Sequence, residues 1–161
     1  MPSRRLELDV IDRRLLNALQ ADGRLTNAQL AEHVGLSPSA VHRRVRRLEE
    51  AGVIAGHALL VDKAAIGRPL DVFVEISLVS QSVERLSAFE AAVADCPEVM
   101  SCHLMAGEAD YLLHLSVADT ADFERIHAAH LSRLPGVARI KSNFAMRTVH
   151  ETTVHHLDET P

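Results

Sequence analysis

Residues 26–50 read TNAQLAEHVGLSPSAVHRRVRRLEE, and the way this stretch divides into two helices decides the first half of the fold. Thr26 has Gln29 three residues on, a Thr-x-x-Gln capping box in which each side chain satisfies a free backbone N–H of the first turn. Leu30, Ala31 and Val34 give that helix its apolar face, and Gly35 is its turn. Ser37 then supplies an N-cap and Pro38 the first helical position, where a missing N–H costs nothing. At about 100° per residue, Val41, Val45 and Leu48 share one side of the new helix. Ser39, Arg43, Arg46 and Glu50 lie near the opposite side, flanked by Ala40, His42 and Arg47. Two helices joined by a Gly-bearing turn, the second with an Arg-rich outer face, make a helix-turn-helix.

Position along the second helix assigns the chemistry. Its N-terminal residues enter the major groove, so Ser39, Ala40, His42 and Arg43 face base edges, with Ser37 at the helix entrance. Arg bonds guanine bidentately, and Ala offers a methyl to thymine. Arg44, Arg46 and Arg47, with the N-terminal Arg4 and Arg5, fit phosphates, which position a protein without specifying sequence. An Arg run on an isolated helix is ordinarily a solvated face, here paired with Glu49 and Glu50. The capped preceding helix, the Gly turn and the Ser-Pro start together favour DNA. Upstream, Leu8, Ile11, Leu15, Leu16 and Leu19 predict a first helix over residues 9–21, ended by Asp22-Gly23. Downstream, Ala51-Gly52 ends the reading helix. Val53-Ile54 and His57–Val61 read as short extended chain, and residues 62–69 as a connector.

A net charge of -5 stands against phosphate contacts until its distribution is followed. Residues 1–56 hold nine Arg against seven acids, whereas residues 57–161 hold eight basic and fifteen acidic side chains. A sign change between halves predicts two domains with different partners, the acidic one repelled by DNA. Aromatics are only 3% with no Trp, which disfavours base stacking as a binding mode. No apolar run approaches the ~20 residues of a membrane span, the start has no apolar signal region, and Cys96 and Cys102 are too few for a disulfide scaffold. A cytoplasmic location is expected.

In the acidic half, Val72, Val74, Ile76 and Leu78 alternate with Phe73, Glu75 and Ser77 as a strand. Val83, Leu86, Phe89, Ala92 and Val93 predict a helix. Val99–Ala106 and Tyr111–Val117 read as strands around the Gly107-Glu108-Ala109-Asp110 turn. Phe123, Ile126, His127, His130, Leu131 and Leu134 predict one more helix, and residues 137–144 a last strand. The order βαββαβ is ferredoxin-like, with both helices on one face of an antiparallel sheet. Nothing in the sequence covers the other face, which reads as partly apolar and suited to face-to-face dimerisation.

In this order of motifs the chain resembles the Lrp/AsnC family of transcriptional regulators over about residues 8 to 153. The resemblance rests on Leu8-Asp9 with Ile11-Asp12, Asp22-Gly23-Arg24, Leu30-Ala31-Glu32 and Val34-Gly35-Leu36-Ser37-Pro38. It continues through Arg44-Val45, Arg47-Leu48-Glu49-Glu50-Ala51-Gly52-Val53-Ile54, Pro97-Glu98-Val99, Gly107-Glu108-Ala109-Asp110-Tyr111 and Leu134-Pro135-Gly136-Val137. It implies an α+β chain: an N-terminal winged helix-turn-helix and a C-terminal ferredoxin-like βαββαβ ligand-sensing domain. It further implies homodimers assembling to tetramers or octamers, and a small-molecule effector, usually an amino acid, in a cleft between sensing domains. The effector positions so implied are Met105, Gly107, Glu108, Asp110 and Tyr111 around the turn, with Thr120, Asn143 and Phe144. Chemically, Gly107 permits a turn whose N–H groups meet a carboxylate, and Asp110 can accept from an ammonium group; an ordinary hairpin turn capped by Asp110 is the plainer alternative. Glu108 stands where Asp is common and Ala109 where an aromatic often follows, so the effector is not inherited from a relative.

The expected organisation is residues 1–56 for DNA binding, 57–69 as linker, 70–153 for sensing and assembly, and 154–161 as a disordered tail. No cofactor, metal or catalytic residue is expected. Cys96, Cys102 and His103 lack ligand spacing, and Glu124, His127 and His130 have no partner helix to complete a site. The function read is a sequence-specific DNA-binding regulator tuned by an effector. The alternatives are an architectural DNA-binding protein with little effector control and a small ferredoxin-like enzyme.

Overall fold

Each of the first three helices begins where the sequence supplies a cap. α1 (Val10–Ala21) opens on Asp9, whose carboxylate accepts the Asp12 N–H at 2.8 Å while the Asp12 carboxylate accepts the Asp9 N–H at 3.2 Å. α2 (Asn27–Val34) opens on Thr26 with the reciprocal Gln29 bond, and α3 (Pro38–Glu50) on Ser37, whose Oγ accepts from the Ala40 N–H. Gly35 ends α2 at a φ of 69°, a left-handed conformation that glycine adopts without strain, and so sets the turn into α3. Leu15, Leu30, Ala31, Val34 and Val41 meet in one small core, with Ile11, Leu19, Leu25, Leu36 and Val45 packed around it. The computed structural model describes residues 6–159, so Arg4 and Arg5 lie outside the described residues.

The chain divides into two units, residues 1–59 with 150–161 and residues 60–149. Residues 53–61, expected as short extended chain, pair with no strand among the described residues, and Leu59, Leu60 and Val61 stand exposed. The C-terminal segment, expected to be disordered, is hydrogen-bonded to α1 and groups with the first unit.

The second unit follows βαββαβ: β1 (Leu70–Leu78), α4 (Val83–Ala94), β2 (Val99–Leu104), β3 (Tyr111–Val117), α5 (Thr120–Ala129) and β4 (Val137–Phe144). The sheet order is β2-β3-β1-β4, antiparallel throughout. One face meets the helices through Val72, Val74, Ile76, Leu113 and Leu115 against Phe89, Val93, Phe123 and Ile126. The second helix stops earlier than its periodicity predicts. Leu134 precedes Pro135 and is extended, and residues Leu131–Arg133 tighten into a 3-10 turn after His130 leaves the helical region.

The other face is more polar than expected. By register it carries Asp71, Phe73 and Glu75 from β1, Leu112, His114 and Ser116 from β3, and Arg139, Lys141 and Asn143 from β4. Phe73 stacks on the His114 ring at 4.9 Å, and Glu75 accepts from Lys141 and Asn143. Asp71 is buried beneath them, taking hydrogen bonds from Lys63 Nζ at 3.1 Å and Thr148 Oγ1 at 3.4 Å and lying 2.7 Å from His114 Nε2.

Burial pushes the Asp71 pKa up, but the contacts with His114 and Lys63 outweigh it and hold the carboxyl below its ordinary 3.8. A folded-state pKa below the unfolded one stabilises above the unfolded value and is lost as pH falls through the folded one. Asp71→Asn is therefore expected to cost about 2 kcal/mol at neutral pH. In urea unfolding followed down the pH scale, the gap between variant and parent closes below the ordinary carboxyl value. A gap that widens towards acid contradicts this assignment.

Candidate nucleic-acid and effector sites

The α3 surface is organised by a carboxylate that it does not itself contain. Asp12, in the first turn of α1, is fully buried, and its oxygens bond Arg44 Nη1 at 2.9 Å and Arg47 Nη2 at 2.5 Å. Asp9 takes Arg44 Nη1 again at 2.7 Å. Burial pushes the Asp9 pKa up, but the Asp12 N–H and Arg44 outweigh it, so the Asp9 carboxyl lies below its usual range. Two acids three apart on α1 thus meet two arginines three apart on α3.

This contact sorts the arginines. Arg44 is largely covered and holds both acids, a structural engagement that competes with the phosphate contact expected of it. Arg47 gives one nitrogen to Asp12 and keeps the rest of a half-exposed guanidinium at the surface. Arg46 pairs with Glu50 at 2.8 Å, but both are well exposed, and such an (i, i+4) pair is weak enough to yield to a phosphate. Arg43 is exposed and, among the described residues, makes no ion pair. Arg43, Arg44, Arg46, Arg47 and Glu50 line a groove of about 360 Å³.

The N-terminal half of α3 presents Ser39 and His42 to solvent, with Ala40 half-buried. The Ser37 hydroxyl is engaged with the Ala40 N–H and, at 3.1 Å, the Ser39 hydroxyl, so it acts first as a cap. His42 Nδ1 lies 3.4 Å from Asn27 Nδ2, a contact that links the starts of α2 and α3.

The expected effector positions do not form one cleft in a single copy. Tyr111 pairs with Ile76 and Phe144 with Val72, so the two groups are four residues, about 13 Å, apart along β1. At one end, the turn exposes Met105, Gly107 and Glu108. At the other, Thr120 begins α5 beside the Asp119 cap, Phe144 packs edge-on against Phe123 at 5.1 Å, and Asn143 bonds Glu75 on the open face.

Two positions take other roles. Asp110 is buried, and its carboxylate accepts the Leu78 N–H at 2.6 Å and Gln81 Nε2 at 2.5 Å. Both oxygens are engaged, so Asp110 ties the turn to the end of β1 and is not an open acceptor for an ammonium group. Tyr111 points into the helix-facing core, with its ring 4.5 Å from Phe89 and its hydroxyl donating to Glu90 at 2.7 Å. Burial and the neighbouring Glu90 push its phenol pKa up. Gly107 departs from expectation differently: its φ is not left-handed, and a Cβ there would meet nothing within 4 Å. Neither conformation nor packing requires glycine at 107.

With this geometry in place, comparison with known proteins is specific. Residues 8–55 match the family model described as winged helix-turn-helix DNA-binding, and residues 71–155 the one described as Lrp/AsnC ligand binding domain. The Bkd operon transcriptional regulator of Pseudomonas aeruginosa is 45% identical over 143 residues, covering 89% of this chain and 94% of its own. The leucine-responsive regulatory protein of Haemophilus influenzae is 41% identical over 145 residues, 90% of this chain and 87% of its own. A Neisseria meningitidis transcriptional regulator, solved as a complex with L-methionine, superposes with a TM-score of 0.86 at 35% identity, covering 91% of this chain and 95% of that one.

Asp12→Asn keeps the shape of the buried side chain but takes the counter-ion from Arg47 and leaves Arg44 with Asp9 alone. The expected loss of stability is about 2 kcal/mol, because charge-assisted hydrogen bonds from two partly exposed arginines to a buried carboxylate are lost. Urea unfolding monitored by circular dichroism measures it, and a loss below about 1 kcal/mol would remove Asp12 from this organising role.

Proposed function

The chain belongs to the Lrp/AsnC family of DNA-binding transcriptional regulators, and from that premise we propose that α3 reads operator bases through Ser39, Ala40, His42 and Arg43. The observation that carries this reading is the division of the arginines. Arg43 alone in the basic groove is exposed without an ion pair among the described residues, whereas Arg44 is held by Asp9 and Asp12. Arg46 and Arg47 fit phosphates on either side of the base-reading row. Homodimers, assembling to tetramers or octamers, would present paired reading heads to paired half-sites. Action on DNA accords with a cytoplasmic regulator; among the described residues no helix is long and apolar enough to cross a membrane.

The effector proposed is an amino acid, the class named with the Neisseria meningitidis structure. Its cleft is made where the exposed Met105–Glu108 turn of one copy meets the Thr120, Asn143 and Phe144 end of another. The about 13 Å separation of those groups within one copy supports a shared cleft. Gly107 supplies room and backbone N–H groups for a carboxylate, and Asp110 supports the turn from behind.

The DNA reading is tested by a bandshift on the gene's own upstream region against excess random DNA at about physiological salt. Arg43→Ala is expected to weaken specific binding by 1–3 kcal/mol, an order-of-magnitude figure for one bidentate base contact, with little change on random DNA. Equal loss on both demotes Arg43 to a phosphate contact. Equal competition by random DNA favours an architectural protein.

The effector reading is tested by a thermal-shift screen of the proteinogenic amino acids, where a binder raises Tm by linkage. Gly107→Val is expected to keep the parent Tm without ligand and to lose the shift. If no amino acid moves Tm, the effector class is wrong; if Gly107→Val still responds, the cleft is misplaced.

A further inference from the structure

The last described residues run along α1, held by two side-chain amides. Asn17 Nδ2 donates to the Leu157 carbonyl at 2.9 Å, and the Leu157 N–H donates back to Asn17 Oδ1 at 3.4 Å. Gln20 Nε2 donates to the His155 carbonyl at 3.0 Å, and the His155 N–H donates back to Gln20 Oε1 at 2.7 Å. Each amide therefore offers a donor and an acceptor to both backbone groups of one residue, as a neighbouring β-strand would. Glu159 ends the contact, bonded to Arg14 Nε at 3.1 Å and Asn17 Nδ2 at 3.2 Å.

The contacts run in order: Arg14, Asn17 and Gln20 step by three along α1, while Glu159, Leu157 and His155 step by two in the opposite direction. At 155 and 157 the hydrogen bonds read backbone, not side chain, so the clamp selects an extended segment more than a sequence. α1 also carries Asp12, the counter-ion of α3.

The chain crosses between the two units twice, at 59–60 and again at 149–150. The second crossing follows β4 by five residues, with Ala145 and Thr148 still bonded to Asp71, and ten residues, 145–154, separate β4 from the first clamped position. Ten residues reach at most about 35 Å, so the segment is a short leash and not a free end.

We propose that the Asn17–Gln20 clamp on α1 is a docking site for the chain's own residues 155–159. Docking makes the C-terminal segment a second tether between the sensing unit and the reading head. A displacement at the Asn143–Phe144 end of β4 then reaches α1, and through Asp12 the reading helix, without passing through residues 57–69. A second tether also narrows the orientations open to each head and so favours simultaneous engagement of two half-sites. This last step rests on the operator-reading role proposed for α3.

Residue-resolved hydrogen exchange on the full chain tests the docking without any ligand. The His155 and Leu157 amides are expected to exchange at least about tenfold more slowly than those of His156 and Asp158. Asn17→Ala should release Leu157 first and Gln20→Ala should release His155, with the α1 amides of Leu15 and Leu16 still protected. Equal exchange at all four positions in the parent overturns the clamp. Protection lost on dilution assigns the site to a second copy's tail and overturns own-chain docking.

The tether is tested by the ratio of affinities for DNA with two half-sites and with one. The Asn17→Ala/Gln20→Ala variant is expected to lower that ratio about fivefold or more while single-site affinity holds. An unchanged ratio overturns the tether. Absence of any operator preference in the parent refutes the DNA reading instead, and the exchange pattern still decides the docking.

Discussion

One buried carboxylate governs how this protein presents positive charge. A reading helix needs arginines on its surface, but four guanidiniums within five residues repel one another and have no intrinsic reason to point in different directions. Asp12 resolves this from the first turn of α1, with no exposure to solvent and two arginines bonded to it. The pairing fixes the rotation of α3 against α1 and leaves Arg43 outward. A buried charge is costly to leave without its partners, so the contact adds a directional element to the apolar packing of Leu15, Leu30 and Val41. The same acid belongs to the Asp9 capping box, and helix initiation and α3 orientation therefore share one residue.

The sensing unit obeys a different constraint. Its sheet has one face filled by α4 and α5 and another on which Glu75 accepts from Lys141 and Asn143, with Phe73 and His114 stacked beside it. The β2–β3 turn is fastened by Asp110 to the end of β1, which gives an exposed glycine-bearing loop a rigid base. Rigidity behind and openness in front suit a loop that contacts something arriving from outside.

Much of this is legible in the sequence because local rules decide it. Capping residues at Thr26 and Ser37, the left-handed Gly35 and the two-residue alternation of Val72 to Leu78 each act within a few positions. The winged helix-turn-helix and ligand-binding assignments followed from the order of such motifs. What the sequence concealed depends on separation. Arg44 meets Asp12 across 32 residues and Gln20 meets His155 across 135, and no periodicity encodes either contact. Asp110 and Tyr111 were placed on the right turn, but alternation gives a residue's strand, not whether a neighbour such as Gln81 or Glu90 has already engaged it. The tail failed for a third reason: its polar composition resembles disorder, and its order comes from side chains on α1.

The claim at the centre is that Asp12 withdraws Arg44 from DNA. The salt dependence of operator binding measures this directly, because each phosphate neutralised adds about 0.9 to the slope of log K against log salt. The account predicts that Arg44→Ala leaves the slope unchanged while Arg46→Ala lowers its magnitude by about 1. A drop of about 1 for Arg44→Ala would contradict it and return Arg44 to the phosphate backbone.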